Sequence, residues 1–160
     1  MKITAITDRE TRQTTARTIL EQLRDWFEVD ESREQYIEES GEQIFFAAFD
    51  GEKPVGFITL KETGKDTAEL AVMGVLKEYH RNGIGRELFA ALKAAAKENG
   101  YSFMQVKTVK MGVYDDYDIT NRFYLSLGFR EFEVFPTLWD EANPCQIYVM
   151  AVRQRSGAEI

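Results

Sequence analysis

The sequence predicts an α+β fold in which a mixed, mainly antiparallel sheet is flanked by helices. Short strand-like segments separated by turn residues follow one another in the first half of the chain, which is typical of an antiparallel meander. Helical and strand-like segments alternate only in the second half, so a doubly wound parallel sheet is not predicted. A junction with two glycines connects the last apolar strand of the meander to a long helical segment.

The first half is predicted to contain one strand, two helices and three further strands. Residues 2–6 form the first strand, and Thr7 or Asp8 caps the helix that follows. The apolar residues of this helix recur at i, i+3 and i+4: Ala16, Ile19, Leu20, Leu23, Trp26 and Phe27. The second helix is expected at residues 31–40. The strands of the meander are expected at residues 43–49, 55–60 and 68–75.

The second half is predicted to begin with a helix that runs from the glycine junction to Asn99-Gly100. Its apolar residues keep helical spacing: Leu88, Leu92, Ala95 and Ala96. The later elements are a strand at 103–109, a short helix at 119–127, and strands at 129–135 and 147–152. Two loops are predicted, at residues 113–118 before the short helix and at 136–145 between the last two strands.

Length and composition limit the class of protein. With 160 residues and 44% hydrophobic content, the chain suits one domain, predicted at residues 1–153, with a tail at 154–160. No apolar run reaches the roughly 20 residues of a membrane-spanning helix. No signal peptide precedes the first strand, so the cytoplasm is the expected location.

Charge and the rare residue types exclude several function classes. A net charge of −7 argues against a nucleic-acid surface, which needs clustered basic residues. One histidine and one cysteine provide no metal-ligand spacing, so no metal is predicted. Cys145 also cannot form an internal disulfide, and it is expected to be a small buried residue.

The glycine junction has the properties of an anion site. Gly83 and Gly85 stand at a helix start, where unpaired backbone N–H groups and the helix dipole favour an anion. Their missing side chains would let a pyrophosphate approach the backbone. A Walker loop is excluded because GxxxxGK[ST] is absent, and a dinucleotide fingerprint fits poorly because Leu88 stands where a small residue is needed. Two glycines alone are equally compatible with a turn that only caps the helix.

A second motif, at residues 121–129, follows the glycine junction and helps to decide between these alternatives. Taken with it, the sequence resembles the GCN5-related N-acetyltransferase (GNAT) superfamily. The family's acetyl-CoA signature, Gln/Arg-x-x-Gly-x-Gly/Ala, falls on residues 80–85, and its FY-x-x-x-GF signature falls on Phe123-Tyr124 and Gly128-Phe129. The resemblance extends from the first strand to the last. There are two departures: His80 replaces Gln or Arg, and Tyr117 stands where relatives commonly carry Asn.

The resemblance implies the acyl-CoA N-acyltransferase fold and direct transfer of an acetyl group from acetyl-CoA to a primary amine. Tyr124 matches the family's general acid, and Glu69 matches a base or a water-holding carboxylate if it faces inward; a Glu69 facing solvent would have no such role. A backbone N–H of Val75 or Leu76 is the implied oxyanion donor. The implied cofactor-binding residues are Val75, Leu76, His80, Arg81, Asn82, Gly83, Ile84, Gly85 and Arg86.

The two predicted loops combine aromatic rings with carboxylates, which suits an organic cation. The candidate substrate-binding residues are Asp115, Asp116, Tyr117, Trp139 and Asp140. The first loop is also interpretable as a helix cap with exposed acids, and the second as a long turn held by Trp139 in a pocket. A small cationic amine is therefore the favoured acceptor, and a protein lysine or N-terminus is the alternative. A non-catalytic acyl-CoA sensor is the alternative from another function class. A homodimer is a possible assembly, since dimers are frequent among the relatives that the resemblance implies. Neither a nucleic acid nor a membrane is expected as a partner.

Overall fold

The computed structural model describes residues 1–152, and the predicted tail at 154–160 lies outside this part of the chain. The strands of the described residues are β1 Lys2–Ala5, β2 Ile44–Asp50, β3 Lys53–Glu62, β4 Thr67–Val75, β5 Phe103–Val109, β6 Arg130–Asp140 and β7 Asn143–Ala151. The α-helices are α1 Arg9–Leu20, α2 Asp30–Ser40, α3 Ile84–Glu98 and α4 Asp115–Leu127. Short 3-10 turns occupy Glu21–Leu23 and Lys77–Tyr79. Throughout residues 1–152, every helix is too short or too polar to cross a membrane.

The strands form one seven-stranded sheet in the order β1-β2-β3-β4-β5-β7-β6. The pairs β1–β2, β2–β3, β5–β7 and β6–β7 are antiparallel, whereas β4 and β5 are parallel. The mixed, mainly antiparallel sheet with flanking helices confirms the predicted α+β fold class.

The contacts divide the chain into two compact units, Met1–Lys61 with Leu70–Asn99, and Glu62–Glu69 with the residues from Gly100 onward. In the first unit, a Cβ added at Gly74 would lie 3.0 Å from Leu23, and one added at Gly56 would lie 3.3 Å from Leu88 and 3.2 Å from Val75. Successive strand residues point to opposite faces, so α1 and its 3-10 extension cover the Gly74 face and α3 covers the Val75 face.

In the second unit, α4 packs on the strands β5 and β7. Met104 and Tyr148 are almost fully buried in its core. Strand β6 is at the edge of the sheet, and three of its large apolar residues are exposed: Phe132, Leu138 and Trp139. An edge strand has a neighbour on one side only, which explains this exposure.

The first helix is shorter than its apolar spacing predicted. Asp8 is the cap, and its carboxylate accepts a hydrogen bond from the Thr11 N–H at 2.8 Å. The α-helix ends at Leu20 rather than continuing to Phe27. The segment after the helix contacts α2 instead: Arg33 donates to the Phe27 carbonyl at 2.7 Å, and the Phe27 ring packs edge-on against Tyr36.

Two segments predicted as loops are mostly regular structure. The predicted loop at 113–118 contains the first turn of α4, which begins at Asp115 instead of residue 119. Three carboxylates in that turn favour the helix N-terminus, a signal already present in the sequence: Asp115, Asp116 and Asp118. The predicted loop at 136–145 is a hairpin, in which β6 reaches Asp140 and β7 begins at Asn143. Asp140 closes the hairpin by accepting bonds from the Asn143 backbone at 2.9 Å and side chain at 2.8 Å.

Candidate functional site

The glycine junction begins where β4 ends. The Leu76 side chain is buried, and its N–H donates to the Val55 carbonyl at 2.9 Å. His80 Nε2 donates to the Val75 carbonyl at 2.8 Å, which closes the segment into a loop. Two predicted roles change as a result. The Leu76 N–H is engaged within the sheet, so Val75 remains the candidate oxyanion donor of the two, and His80 makes a backbone contact inside the loop.

The backbone of the loop is shaped by two residues with positive φ. Arg81 has φ 68° and Gly83 has φ 76°, and Gly83 is the residue before the first turn of α3. Backbone N–H groups next to left-handed residues form concavities that bind anions. A Cβ added at Gly83 would have nothing within 4 Å, so the approach to the helix N-terminus is open. Asn82 is exposed beside it, and Arg81 and Arg86 supply exposed positive charge.

Neighbouring residues hold this loop in place. The buried Ile84 side chain anchors the start of α3, so only its backbone can face a ligand, as at the half-buried Gly85. Lys77 Nζ contacts Asp25 Oδ2 at 2.6 Å, and the Tyr79 hydroxyl donates to Asp50 Oδ2 at 2.7 Å. That hydrogen bond raises the pKa of Tyr79, so the phenol stays protonated as the donor.

Glu69 faces the interior in the second unit. It is 7% exposed, and its Oε1 accepts a hydrogen bond from Lys107 Nζ at 2.8 Å. The sequence interpretation did not include Lys107. Glu69 is paired with Gln105 on the parallel strand β5. Lys107 lies two residues after Gln105, so its side chain is on the same face of the sheet as those of Gln105 and Glu69. A prediction of this pairing would have found Lys107. The solvated alternative for Glu69 is wrong, because the carboxylate is buried and ion-paired.

Cys145 is close to this ion pair. It is fully buried, as predicted, and burial is the main cause that raises the pKa of its thiol. The Lys107 charge opposes that shift and the Glu69 charge adds to it. The thiol is therefore a protonated, inert neighbour of Glu69 rather than a nucleophile.

Tyr124 lies in the core between α4 and the strands of its unit. It is 7% exposed, and its ring lies 5.9 Å from that of Phe129 and 6.3 Å from that of Tyr148. One turn earlier on α4, Asn121 is fully buried and bonded to Tyr148. Sequence reasoning missed Asn121 and Tyr148 as neighbours of Tyr124, because a polar helix residue and a strand tyrosine carry no pattern of their own.

The predicted acceptor residues lie on two elements. Asp115 and Asp116 are exposed in the first turn of α4, and the Tyr117 ring lies 5.9 Å from Tyr114. Trp139 is 47% exposed on the β6–β7 hairpin, beside Asp140. Each group thus presents an aromatic ring with nearby carboxylates.

A cavity of about 480 Å³ between α1 and α2 contains none of the predicted site residues. Its wall includes an ion pair in which the two Arg17 nitrogens contact the two Glu34 oxygens at 2.7 and 2.9 Å. This hydrogen bonding lowers the pKa of Glu34 and raises that of Arg17. Both side chains are exposed, so the pair contributes little to stability.

Comparison with protein families identifies the chain. Residues 9–129 match the model of the acetyltransferase (GNAT) family, which includes both the glycine junction and the second motif. The chain belongs to the GNAT family. The predicted resemblance is confirmed, and the chain is an acyltransferase of this family. By sequence, no curated protein matches it significantly.

Solved structures share the fold. A GNAT-family protein from Desulfovibrio desulfuricans has a TM-score of 0.83 at 18% identity, over 95% of this chain and 99% of that chain. An aminoglycoside 6′-N-acetyltransferase in complex with coenzyme A has a TM-score of 0.74 at 21% identity, over 98% and 99%. The ribosomal-protein-S18-alanine N-acetyltransferase from Escherichia coli has a TM-score of 0.72 at 20% identity, over 98% and 96%.

Proposed function

We propose that this GNAT protein transfers an acetyl group from acetyl-CoA directly to a primary amine of a small cationic acceptor in the cytoplasm. The observation that carries the proposal is the junction before α3. There, Gly83 has a left-handed backbone, no neighbour within 4 Å of an added Cβ, and a helix N-terminus directly after it. An open helix N-terminus with free space above its backbone N–H groups is suited to binding a pyrophosphate.

The residues of the junction fit coenzyme A. The backbone N–H groups of residues 81–85 would hold the pyrophosphate, and Arg81 and Arg86 would add positive charge. Val75, at the end of β4, would provide the N–H for the negative charge that develops on the acetyl oxygen. When bound, acetyl-CoA supplies the activated acetyl group, as the coenzyme A complex of a structural relative suggests.

Two side chains would move the protons of the transfer. The acceptor amine loses one proton when the new C–N bond forms, and the departing thiolate gains one when the C–S bond breaks. Glu69 would accept the first proton, directly or through a water, and Tyr124 would donate the second. Glu69 Oε1 accepts a hydrogen bond from the Lys107 ammonium at 2.8 Å, which would hold the carboxylate of the proposed base in one place.

The acceptor class is inferred from exposed acidic groups on α4 and on the β6–β7 hairpin. Exposed carboxylates of Asp115, Asp116 and Asp140 are near Tyr117 and Trp139 in the sequence, and the chain carries a net charge of −7. Both features favour a substrate with a positive charge beyond the reacting amine. One structural relative is named for an aminoglycoside substrate and another for a ribosomal protein substrate, so both acceptor classes belong in the test.

The test measures binding and turnover separately. Acetyl-CoA should raise the melting temperature, because a ligand that binds only the folded state stabilises it. Thiol release is then followed with a panel of cationic, neutral and anionic amines, a lysine peptide and a free peptide N-terminus. Thiol release that depends on a cationic amine supports the proposal. Stabilisation without thiol release for any acceptor would instead favour an acyl-CoA sensor, and no stabilisation would overturn the proposed site.

A further inference from the structure

The most completely buried polar side chain of α4 has no part in the proposed chemistry. Asn121 is 0% exposed, and its amide has partners on three sides. Nδ2 donates to the Val109 carbonyl at 2.8 Å and to the Tyr117 carbonyl at 2.6 Å. Oδ1 accepts a hydrogen bond from the Tyr148 hydroxyl at 2.5 Å. One side chain therefore connects α4 to the last residue of β5 and to the middle of β7.

Tyr124 follows Asn121 by one helical turn, so the two side chains share a face of α4. Tyr148 contacts both of them: its hydroxyl bonds to Asn121, and its ring lies 6.3 Å from the Tyr124 ring. The far end of the helix is fixed as well. Gly128 ends it with φ 108°, and the Phe129 N–H donates to the Tyr124 carbonyl at 3.2 Å.

We propose that Asn121 and Tyr148 are positioning residues that set the place of the Tyr124 hydroxyl during acetyl transfer. This inference rests on the proposed function, in which Tyr124 protonates the thiolate. A general acid must be within hydrogen-bond reach of its target, and a misplacement of about 1 Å can cost roughly 100-fold in rate. Helix α4 bonds to β5 and β7 through Asn121, so a lost bond there would displace Tyr124 without removing its hydroxyl.

The hydrogen bond between Tyr148 and Asn121 is formed from groups that keep their protonation. Burial is the main cause that raises the pKa of Tyr148, and the charge of Glu131 adds to it. The hydroxyl therefore remains a donor to Asn121 at any pH at which the enzyme would work.

The experiment is a double-mutant cycle between Tyr148→Phe and Tyr124→Phe. Tyr148→Phe keeps the ring that packs on Tyr124 and removes only the bond to Asn121. We expect it to lower kcat by roughly 10-fold or more in the wild-type background, with acetyl-CoA affinity unchanged. In the Tyr124→Phe background the same substitution should change kcat by less than about 2-fold, because the positioned hydroxyl is already absent.

The matched control is Tyr101→Phe, which removes a hydroxyl bond of 2.8 Å to Glu62 in the same unit. It should leave kcat unchanged in both backgrounds. An unchanged kcat in folded Tyr148→Phe overturns the positioning role, and so does an equal loss in both backgrounds or full turnover in Tyr124→Phe alone. A wild-type protein that acetylates nothing overturns the proposed function together with this inference. If the wild type is active but Tyr148→Phe lowers kcat equally in both backgrounds, only the inference is overturned.

Discussion

The junction before α3 and the region around Tyr124 are built from different kinds of structure. At the junction before α3, the proposed binding groups belong to the backbone. Gly83 is exposed and left-handed, and the one side chain that departs from the acetyl-CoA signature, His80, contacts a backbone carbonyl. Around Tyr124 the reverse holds, because buried side chains set the geometry and Asn121 is fully enclosed. A backbone site tolerates changes of side chain except where a Cβ would intrude, whereas a buried network depends on each of its members.

The largest effect on acetyl-CoA binding is expected at Gly83. Gly83→Glu should weaken acetyl-CoA binding by roughly 100-fold or more, about 2.7 kcal/mol, because a carboxylate would block the backbone and repel the pyrophosphate. The control is Gly51→Glu, which adds the same charge at φ 63°, also with nothing within 4 Å. Calorimetric titration of both folded variants measures the difference. Equal acetyl-CoA affinities of the two variants would mean that the pyrophosphate does not bind at the junction before α3.

The next effect tests the buried region alone. Tyr124→Phe should lower kcat by about 10²- to 10⁴-fold, the range for loss of general acid catalysis, with little change in acetyl-CoA affinity. Steady-state kinetics and calorimetry on the same preparation separate these two quantities. Wild-type turnover in this variant would remove Tyr124 from the proton path and favour a different acid.

Glu69 should show a smaller effect that depends on pH. Glu69→Gln is expected to lower turnover by about 10²-fold at neutral pH, since the amine must then lose its proton to solvent. The rate should recover as the pH rises and the fraction of free amine grows. A profile identical to that of the wild type would exclude Glu69 as the base.

The ion pair itself is predicted to matter for stability. Lys107→Met leaves the Glu69 carboxylate buried without a cation, so the free energy of unfolding should fall by about 1–3 kcal/mol, less than for a fully buried pair because Lys107 is 28% exposed. Glu69→Gln combined with Lys107→Met should recover most of the loss. Urea unfolding of the four proteins gives the coupling energy, and simply additive losses would show that the pair is not coupled.

The smallest effect is expected at the exposed carboxylates of α4. Replacing Asp115 and Asp116 by Asn should raise KM for a cationic acceptor by only about 2- to 5-fold, because attraction between exposed charges is screened over roughly 8 Å at physiological salt. A neutral acceptor should be unaffected, and added salt should mimic the substitution for the cationic one. Wild-type KM values for both acceptors would place acceptor binding away from α4.

The sequence by itself determined the fold class, the limits of β5 and the start of α3 at the glycines. These features depend on local rules, such as strand-length apolar runs, helical spacing and the conformational freedom of glycine. It also identified the family, since two ordered motifs lie within the matched residues 9–129. The assigned roles of Glu69 and Tyr124 remain predictions, as does the domain limit at residue 153.

The tertiary structure alone decided which residues contact the proposed catalytic side chains. The parallel pairing of β4 with β5 brought Lys107 to Glu69, and the packing of α4 on β7 brought Tyr148 to Asn121. It also ended α1 early and turned the predicted loop at 136–145 into a hairpin. Contacts between residues distant in sequence leave no periodic pattern along the chain, because they are set by strand order and helix docking rather than by local spacing.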